Sequence, residues 1–149
     1  MKTLQFSKEI NAPIQKVWSS LWNEDTYPQW TAPFNPDPNG VSTMQSDWNV
    51  GGKTLFLASN GDGMVSTIKS ITEPYNIIFE HLGEVAGGIE DTTSEKVKSW
   101  AGSLEEYHLS EENGITTLKA SVQTAEEWEE MMNNGFTQGL EIVKKIAEG

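Results

Sequence analysis

Cysteine and arginine are both absent from this chain of 149 residues. Without cysteine the protein can form no disulfide, no thiolate zinc site and no cysteine nucleophile. Its ten basic residues are therefore all lysines, and 22 acidic residues outnumber them to give a net charge of -12. Nucleic acids and anionic membranes both attract clustered basic side chains, so this composition argues against either as a partner.

Long apolar runs are also lacking. No stretch approaches the roughly 18 apolar residues of a membrane-spanning helix. The first ten residues alternate polar and apolar side chains instead of forming the apolar core of a secretory signal. We therefore expect a cytoplasmic protein. The length and a hydrophobic fraction of 36% predict one globular domain over residues 1–149.

Recognisable catalytic and metal-binding motifs are missing too. The chain has only two histidines, His81 and His108, and neither a G-x-S-x-G nor an H-E-x-x-H pattern. The acidic segment "EDTTSE" contains Glu90, Asp91 and Glu95, which we expect to be solvated. We predict no metal site and no cofactor.

The spacing of apolar residues predicts a strand followed by two helices. Residues 3–10 alternate as in a half-buried strand. An amphipathic helix follows, with an apolar stripe made of Ile14, Val17, Trp18, Leu21 and Trp22. Pro28 then breaks the pattern, which predicts a short second helix around Glu24–Trp30. The next segment, "APFNPDPNG", is predicted to be an irregular loop.

Six further strands are predicted, because short apolar runs alternate with turn signals. Their predicted ranges are Ser42–Trp48, Lys53–Ser59, Gly63–Thr72, Asn76–Leu82, Ser99–Ser110 and Ile115–Gln123. The tight turns favour antiparallel pairing. The acidic stretch Gly83–Lys98 is predicted to be a long loop.

A long helix is predicted at the C-terminus. Thr124 and Glu127 have the spacing of a capping box. One apolar face follows, made of Trp128, Met131, Met132, Phe136, Leu140, Val143 and Ile146. Gly135 and Gly139 lie on that face, which indicates close approach to a sheet or space for a ligand. The element order predicts an α+β domain.

Six stretches between Ile10 and Leu109 have the pattern of a known family: "APIQKVWSSLW", "SDWNVGGKTLFL", "GDGMVSTI", "FEHLG", "EDTTSE" and "WAGSLEEYHL". They resemble the START-like (SRPBCC) superfamily, and within it the bacterial branch related to the C-terminal domain of the heat-shock-protein-90 ATPase activator. This resemblance implies the helix-grip fold, in which a curved antiparallel sheet wraps around a long C-terminal helix. It also implies an apolar cavity between sheet and helix, where superfamily members bind lipids, hormones or polyketides.

Glu105 and Glu106 are adjacent in a predicted strand, so their side chains point to opposite faces of the sheet. The family pattern keeps Glu105 and Tyr107 together, which implies that this pair faces the cavity. His81 is the expected partner of Glu105. The pair could be a satisfied buried polar pair, Glu105 could lie near the cavity mouth and reach water, or the pair could transfer a proton to or from a bound substrate.

Trp18 and Trp22 are interpreted as core residues. The residues expected to line a ligand cavity are Trp30, Phe34, Trp48, Phe56, Met64, Phe79, His81, Glu105, Tyr107, Met132 and Phe136.

Three functions remain open from the sequence. The first is binding of a small apolar or amphipathic molecule without any reaction. The second is regulation of a chaperone or other ATPase through protein contact. The third is a cyclase or hydrolase activity that uses Glu105 and His81.

Overall fold

The computed structural model describes residues 1–35, 37 and 39–149. Pro36 and Pro38, which fall within the predicted irregular loop, lie outside the described residues. The described chain folds as a curved antiparallel sheet of eight strands with a long C-terminal helix and two short helices after the first strand. The predicted helix-grip fold is confirmed.

The strands are β1 (Lys2–Ile10), β2 (Thr43–Ser46), β3 (Lys53–Leu57), β4 (Gly63–Thr72), β5 (Asn76–Ala86), β6 (Ile89–Asp91), β7 (Leu104–Glu112) and β8 (Ile115–Thr124). The α-helices are α1 (Ile14–Trp22), α2 (Tyr27–Thr31), α3 (Glu95–Lys98) and α4 (Glu129–Glu148). Short 3-10 turns cover Ala32–Phe34 and Glu126–Trp128. The strand order is β1-β8-β7-β5-β4-β3-β2, and β6 pairs with β5.

The acidic segment predicted to be a long loop is mostly ordered as secondary structure, so that prediction is wrong. Strand β5 continues to Ala86, turns at Gly87 and Gly88, and pairs with β6. Ser94 then caps α3, because its hydroxyl oxygen accepts a hydrogen bond from the Val97 amide at 3.3 Å. This hairpin buries few of its residues, so its apolar alternation is weak. The acidic composition of the segment resembles that of a loop.

The strand predicted from Ser99 begins instead at Leu104. The preceding residues continue from α3 as a turn, in which the Trp100 amide donates to the Val97 carbonyl at 3.0 Å. Gly102 has a φ of 91°, a left-handed conformation that ends the turn and starts the strand.

The predicted capping box does not form. Helix α4 begins at Glu129 after a 3-10 turn, and no side chain caps its first amides. Trp128 consequently lies outside the apolar face and is 51% exposed. Phe136, Leu140 and Val143 are buried as predicted.

The two glycines of α4 allow close packing, though against the helical segment after α1 and not against the sheet. A Cβ atom on Gly139 would lie 2.7 Å from the Trp30 carbonyl oxygen. One on Gly135 would lie 2.3 Å from Cε1 of Phe34. Trp18 and Trp22 are buried in the same core, as predicted.

Candidate functional site

A cavity of about 340 Å³ lies between the sheet, α2 and the beginning of α4. Its lining is largely apolar and aromatic: Tyr27, Trp30, Phe34, Phe56, Leu57, Met64, Tyr107, Met131, Met132 and Phe136. The ionisable side chains that join them are His81, Glu105 and Asp62. A mostly apolar pocket with a few convergent polar groups is typical of small-molecule sites.

Nine of the eleven side chains expected at a ligand cavity line this one: Trp30, Phe34, Phe56, Met64, His81, Glu105, Tyr107, Met132 and Phe136. Phe79 is fully buried and does not line the cavity. Its ring centroid lies 5.1 Å from that of Phe56, which does line it. Trp48 lines a separate depression together with Trp22, and Tyr27 borders both spaces.

Strand register brings the polar residues together. Phe79 on β5 pairs with Glu105 on β7, and Ser66 on β4 pairs with His81 on β5. Because side chains two residues apart share a face, His81 follows Phe79 onto the concave side and Tyr107 follows Glu105. The sheet therefore places a hydrogen-bonding cluster on an otherwise apolar wall.

The cluster is a continuous chain of hydrogen bonds. Ser66 Oγ lies 2.6 Å from His81 Nδ1, and His81 Nε2 lies 3.0 Å from Glu105 Oε1. The Tyr107 hydroxyl donates to the other carboxylate oxygen, Oε2. Ser66 and Tyr107 are fully buried, whereas the Glu105 side chain keeps 18% of its surface exposed. Glu105 is thus the most exposed side chain of the cluster.

The hydrogen bonding of the buried Ser66 hydroxyl determines which nitrogen of His81 carries a proton. Within the described part of the protein its only hydrogen-bond partner is His81, so a satisfied hydroxyl must donate to Nδ1. His81 is then neutral and carries its proton on Nε2, from which it donates to Glu105. Glu105 accepts a hydrogen bond at each carboxylate oxygen, from His81 at Oε1 and from Tyr107 at Oε2.

Two tyrosines beside Glu105 are held in the neutral form. Burial raises the pKa of Tyr107 well above its ordinary value, and the negative charge of Glu105 raises it further. Burial and the same charge also raise the pKa of Tyr27. Both phenol groups therefore remain hydrogen-bond donors.

Ser66 and Tyr27 were missed by the sequence analysis. Ser66 shares its strand parity with Met64 and Ile68, so the alternation of β4 could have identified a polar residue on the concave face. Tyr27 lies in a five-residue helix next to Pro28, where periodicity carries too little information to assign a face.

The remaining polar candidates lie elsewhere. His108 pairs with Glu106 at 3.1 Å on the other face of β7, and Glu90 pairs with Lys53. Hydrogen bonds from the Ser94 and Thr93 amides lower the pKa of Asp91. In residues 1–35, 37 and 39–149 no group of acidic or histidine side chains could hold a metal ion. No helix in this part of the chain is long and apolar enough to cross a membrane.

Three solved structures illustrate the similarity of the whole fold. An Aha1 dimer from Colwellia psychrerythraea is 16% identical with a TM-score of 0.69, covering 99% of this chain and 97% of that one. A protein from Chromobacterium violaceum is 15% identical with a TM-score of 0.70, covering 100% and 99%. A protein from Arthrobacter aurescens is 16% identical with a TM-score of 0.71, covering 97% and 85%. At such identities these similarities show the fold alone.

Among curated proteins, none matches this sequence. The family described as "Activator of Hsp90 ATPase homolog 1-like protein" matches residues 11–148. This match extends from the residue after β1 to the end of α4, so it includes every element that lines the cavity. The chain belongs to the Activator of Hsp90 ATPase homolog 1-like family.

Proposed function

We propose that this protein binds a small amphipathic molecule in the cavity between the sheet and α4. The observation that carries the proposal is the combination of about 340 Å³ of space with an aromatic lining and one polar cluster. That volume lies at the lower end of the range of small-molecule sites, about 300–1,000 Å³. The apolar part of the ligand would contact Phe34, Phe56 and Met132, and its polar end would meet Glu105.

The bonding of His81 favours binding over catalysis. Both ring nitrogens already have partners, Ser66 at Nδ1 and Glu105 at Nε2. The hydroxyl bonded to this imidazole, that of Ser66, is fully buried and lines no part of the cavity, so a bound molecule would not reach it as a nucleophile. His81 is therefore proposed as a positioning residue that orients Glu105.

The proposal is tested first on the purified protein. Native mass spectrometry should show a bound small molecule, or the neutral fluorescent probe N-phenylnaphthylamine should bind with a gain in emission. Met132→Trp, which adds a large side chain to the cavity lining, should weaken probe binding at least tenfold. Asn133→Trp adds the same side chain at an exposed position of α4 and should leave binding unchanged.

The contrary result is a protein that carries no small molecule and does not bind the probe. Equal probe binding by Met132→Trp and the unsubstituted protein would also contradict the proposal, since it would place the probe outside the cavity.

A second candidate function is protein contact, and it rests on one surface feature. Trp128 and Met131, at the beginning of α4, are 51% and 37% exposed. Large apolar residues on a surface mark contact sites when they adjoin one another. The family description, activator of Hsp90 ATPase, suggests the partner to test.

The measurement is the ATPase rate of purified heat-shock protein 90 with and without this protein. Stimulation that is lost in Trp128→Ala and kept in Tyr75→Ala, a change at another exposed aromatic residue, would support contact through Trp128. No stimulation by the unsubstituted protein would contradict this second function.

A further inference from the structure

We infer that the ligand of this cavity is a cation, an amphipathic molecule that carries a protonated or quaternary amine. The inference rests on the proposed binding function and names the chemical class of its ligand. It follows from three properties of the lining: its charge, the free hydrogen-bonding capacity of Glu105, and its aromatic rings.

The charged groups of the lining are acidic. Glu105 and Asp62 contribute carboxylates, and none of the lysines in the described chain lines the cavity. Five lysines form ion pairs with glutamates outside the cavity, among them Lys8 with Glu141 and Lys53 with Glu90. A bound carboxylate or phosphate would therefore meet repulsion from Glu105 and find no counter-ion.

The polar cluster leaves its negative charge uncompensated. The neutral form of His81 donates one hydrogen bond and Tyr107 donates another, but neither brings a positive charge. A carboxylate has about four acceptor positions, so Glu105 retains about two after these bonds. An ammonium group has donors and the opposite charge, and hydrogen bonds between charged partners are stronger than neutral ones.

Aromatic rings line the same cavity as this carboxylate, and two of them lie near the residues that bond to it. The Phe56 ring centroid is 5.7 Å from that of His81, and the Trp30 centroid is 6.3 Å from that of Tyr107. The faces of such rings attract cations within about 6 Å. Aromatic rings in the same cavity as a carboxylate that has no cationic partner thus favour an amine over a hydroxyl of the same size.

The test compares three probes that share an octyl chain and differ in the polar end: octylammonium, octanol and octanoate. Titration calorimetry at neutral pH should show octylammonium binding at least about tenfold more tightly than octanol, which corresponds to about 1.4 kcal/mol. Octanoate should bind most weakly. Octyltrimethylammonium, which cannot donate a hydrogen bond, should bind between octylammonium and octanol because it retains only the charge and the ring contacts.

The matched variants are Glu105→Gln and Glu106→Gln. Both remove one negative charge from adjacent positions of β7, but Glu106 pairs with His108 and lines no part of the cavity. Glu105→Gln should remove the preference for octylammonium over octanol, and Glu106→Gln should keep it. If both variants lower octylammonium binding equally, the cation is attracted by overall charge and the inference fails.

The comparison of probes on the unsubstituted protein tests the cation inference even if Glu105→Gln does not fold. Octanol or octanoate binding as tightly as octylammonium would overturn the cation inference and leave cavity binding in place. Failure of octylammonium, octanol, octanoate and N-phenylnaphthylamine alike would overturn the proposed function, and the cation inference with it.

Discussion

Gly135 of α4 lies directly against the ring of Phe34, so closely that a Cβ atom at this position would be 2.3 Å from Cε1 of the ring. Phe34 lines the cavity and its ring centroid is 5.0 Å from that of Phe136. The glycine therefore sets how near α4 comes to the segment that forms one wall of the site.

Gly135→Ala should lower the free energy of unfolding. Alanine improves helix propensity by about 1 kcal/mol, but forcing a methyl group into a packed contact costs about 1–3 kcal/mol. We expect a net loss of about 1 kcal/mol by urea denaturation, since the second effect outweighs the first. Asn134→Ala, at an exposed position of the same helix, should not destabilise the protein.

A smaller side chain at position 34 should rescue this variant. The double variant Gly135→Ala with Phe34→Leu should lose less stability than the two single losses added together, because leucine vacates the space that the methyl group needs. Additive losses would show that Phe34 does not limit the approach of α4. At Gly139 the close atom is the Trp30 carbonyl oxygen, so no side-chain change should rescue Gly139→Ala.

Ser66→Ala should disrupt the buried part of the polar cluster and leave Glu105, its most exposed member, in place. Removing the hydroxyl leaves His81 Nδ1 buried without a donor, which costs about 1–3 kcal/mol. The nitrogen chemical shifts of the His81 ring should also report a change from the Nε2-protonated form in the unsubstituted protein. Unchanged shifts would mean that Ser66 does not select the tautomer. Ser110→Ala, at an exposed position of β7, provides the control.

Stability should fall at alkaline pH because of Tyr27 and Tyr107. Their pKa values are raised in the folded protein, so above about pH 10 the unfolded chain releases protons that the folded chain keeps. Each tyrosine contributes stability that is fully present below about pH 10 and decreases by about 1.4 kcal/mol per pH unit above it. Urea denaturation between about pH 9 and pH 11 measures this slope.

Tyr27→Phe removes one of these two contributions and should make the decline shallower by about 1.4 kcal/mol per pH unit. No hydrogen bond in the described part of the chain involves the Tyr27 hydroxyl, so this variant should remain folded at neutral pH. A decline as steep as in the unsubstituted protein would contradict the assignment to Tyr27.

Trp30→Phe should destabilise the junction between α1 and α2. The indole Nε1–H of Trp30 donates to the Leu21 carbonyl at 2.8 Å, in a residue that is 2% exposed. Phenylalanine keeps most of the apolar contact but leaves this carbonyl without its donor, at a cost of about 1–3 kcal/mol. Thermal unfolding should show a lower midpoint, and an unchanged midpoint would mean that water replaces the indole.

The strands with regular alternation and sharp turns were predicted closely. Gly63–Thr72 matches β4 in full, and the spacing that begins at Ile14 predicted α1. Side-chain parity needs only local information, because alternation along a strand is a property of the backbone itself. The same parity places Glu105 and Tyr107 on one face.

Predictions that depended on partners were less accurate. The Gly83–Lys98 stretch contains the end of β5, β6 and α3, yet its acidic composition resembles a loop. Trp128 continued the helical spacing, but the chain adopts a 3-10 turn there and exposes the indole. Pairing with a distant strand and the start of a helix are decided by tertiary contacts that composition does not report.

The sequence by itself determined the amphipathic helices, the alternation of the strands and the acidic composition, since these follow from periodicity and residue counts. The resemblance to a family implied the helix-grip fold and the concave position of Glu105. Only the tertiary structure decided that Ser66 on β4 lies against His81 on β5, and that Gly135 and Gly139 pack against the segment after α1. Those relationships join residues far apart in the chain. They depend on strand register and on the distance between packed elements, which no local pattern encodes.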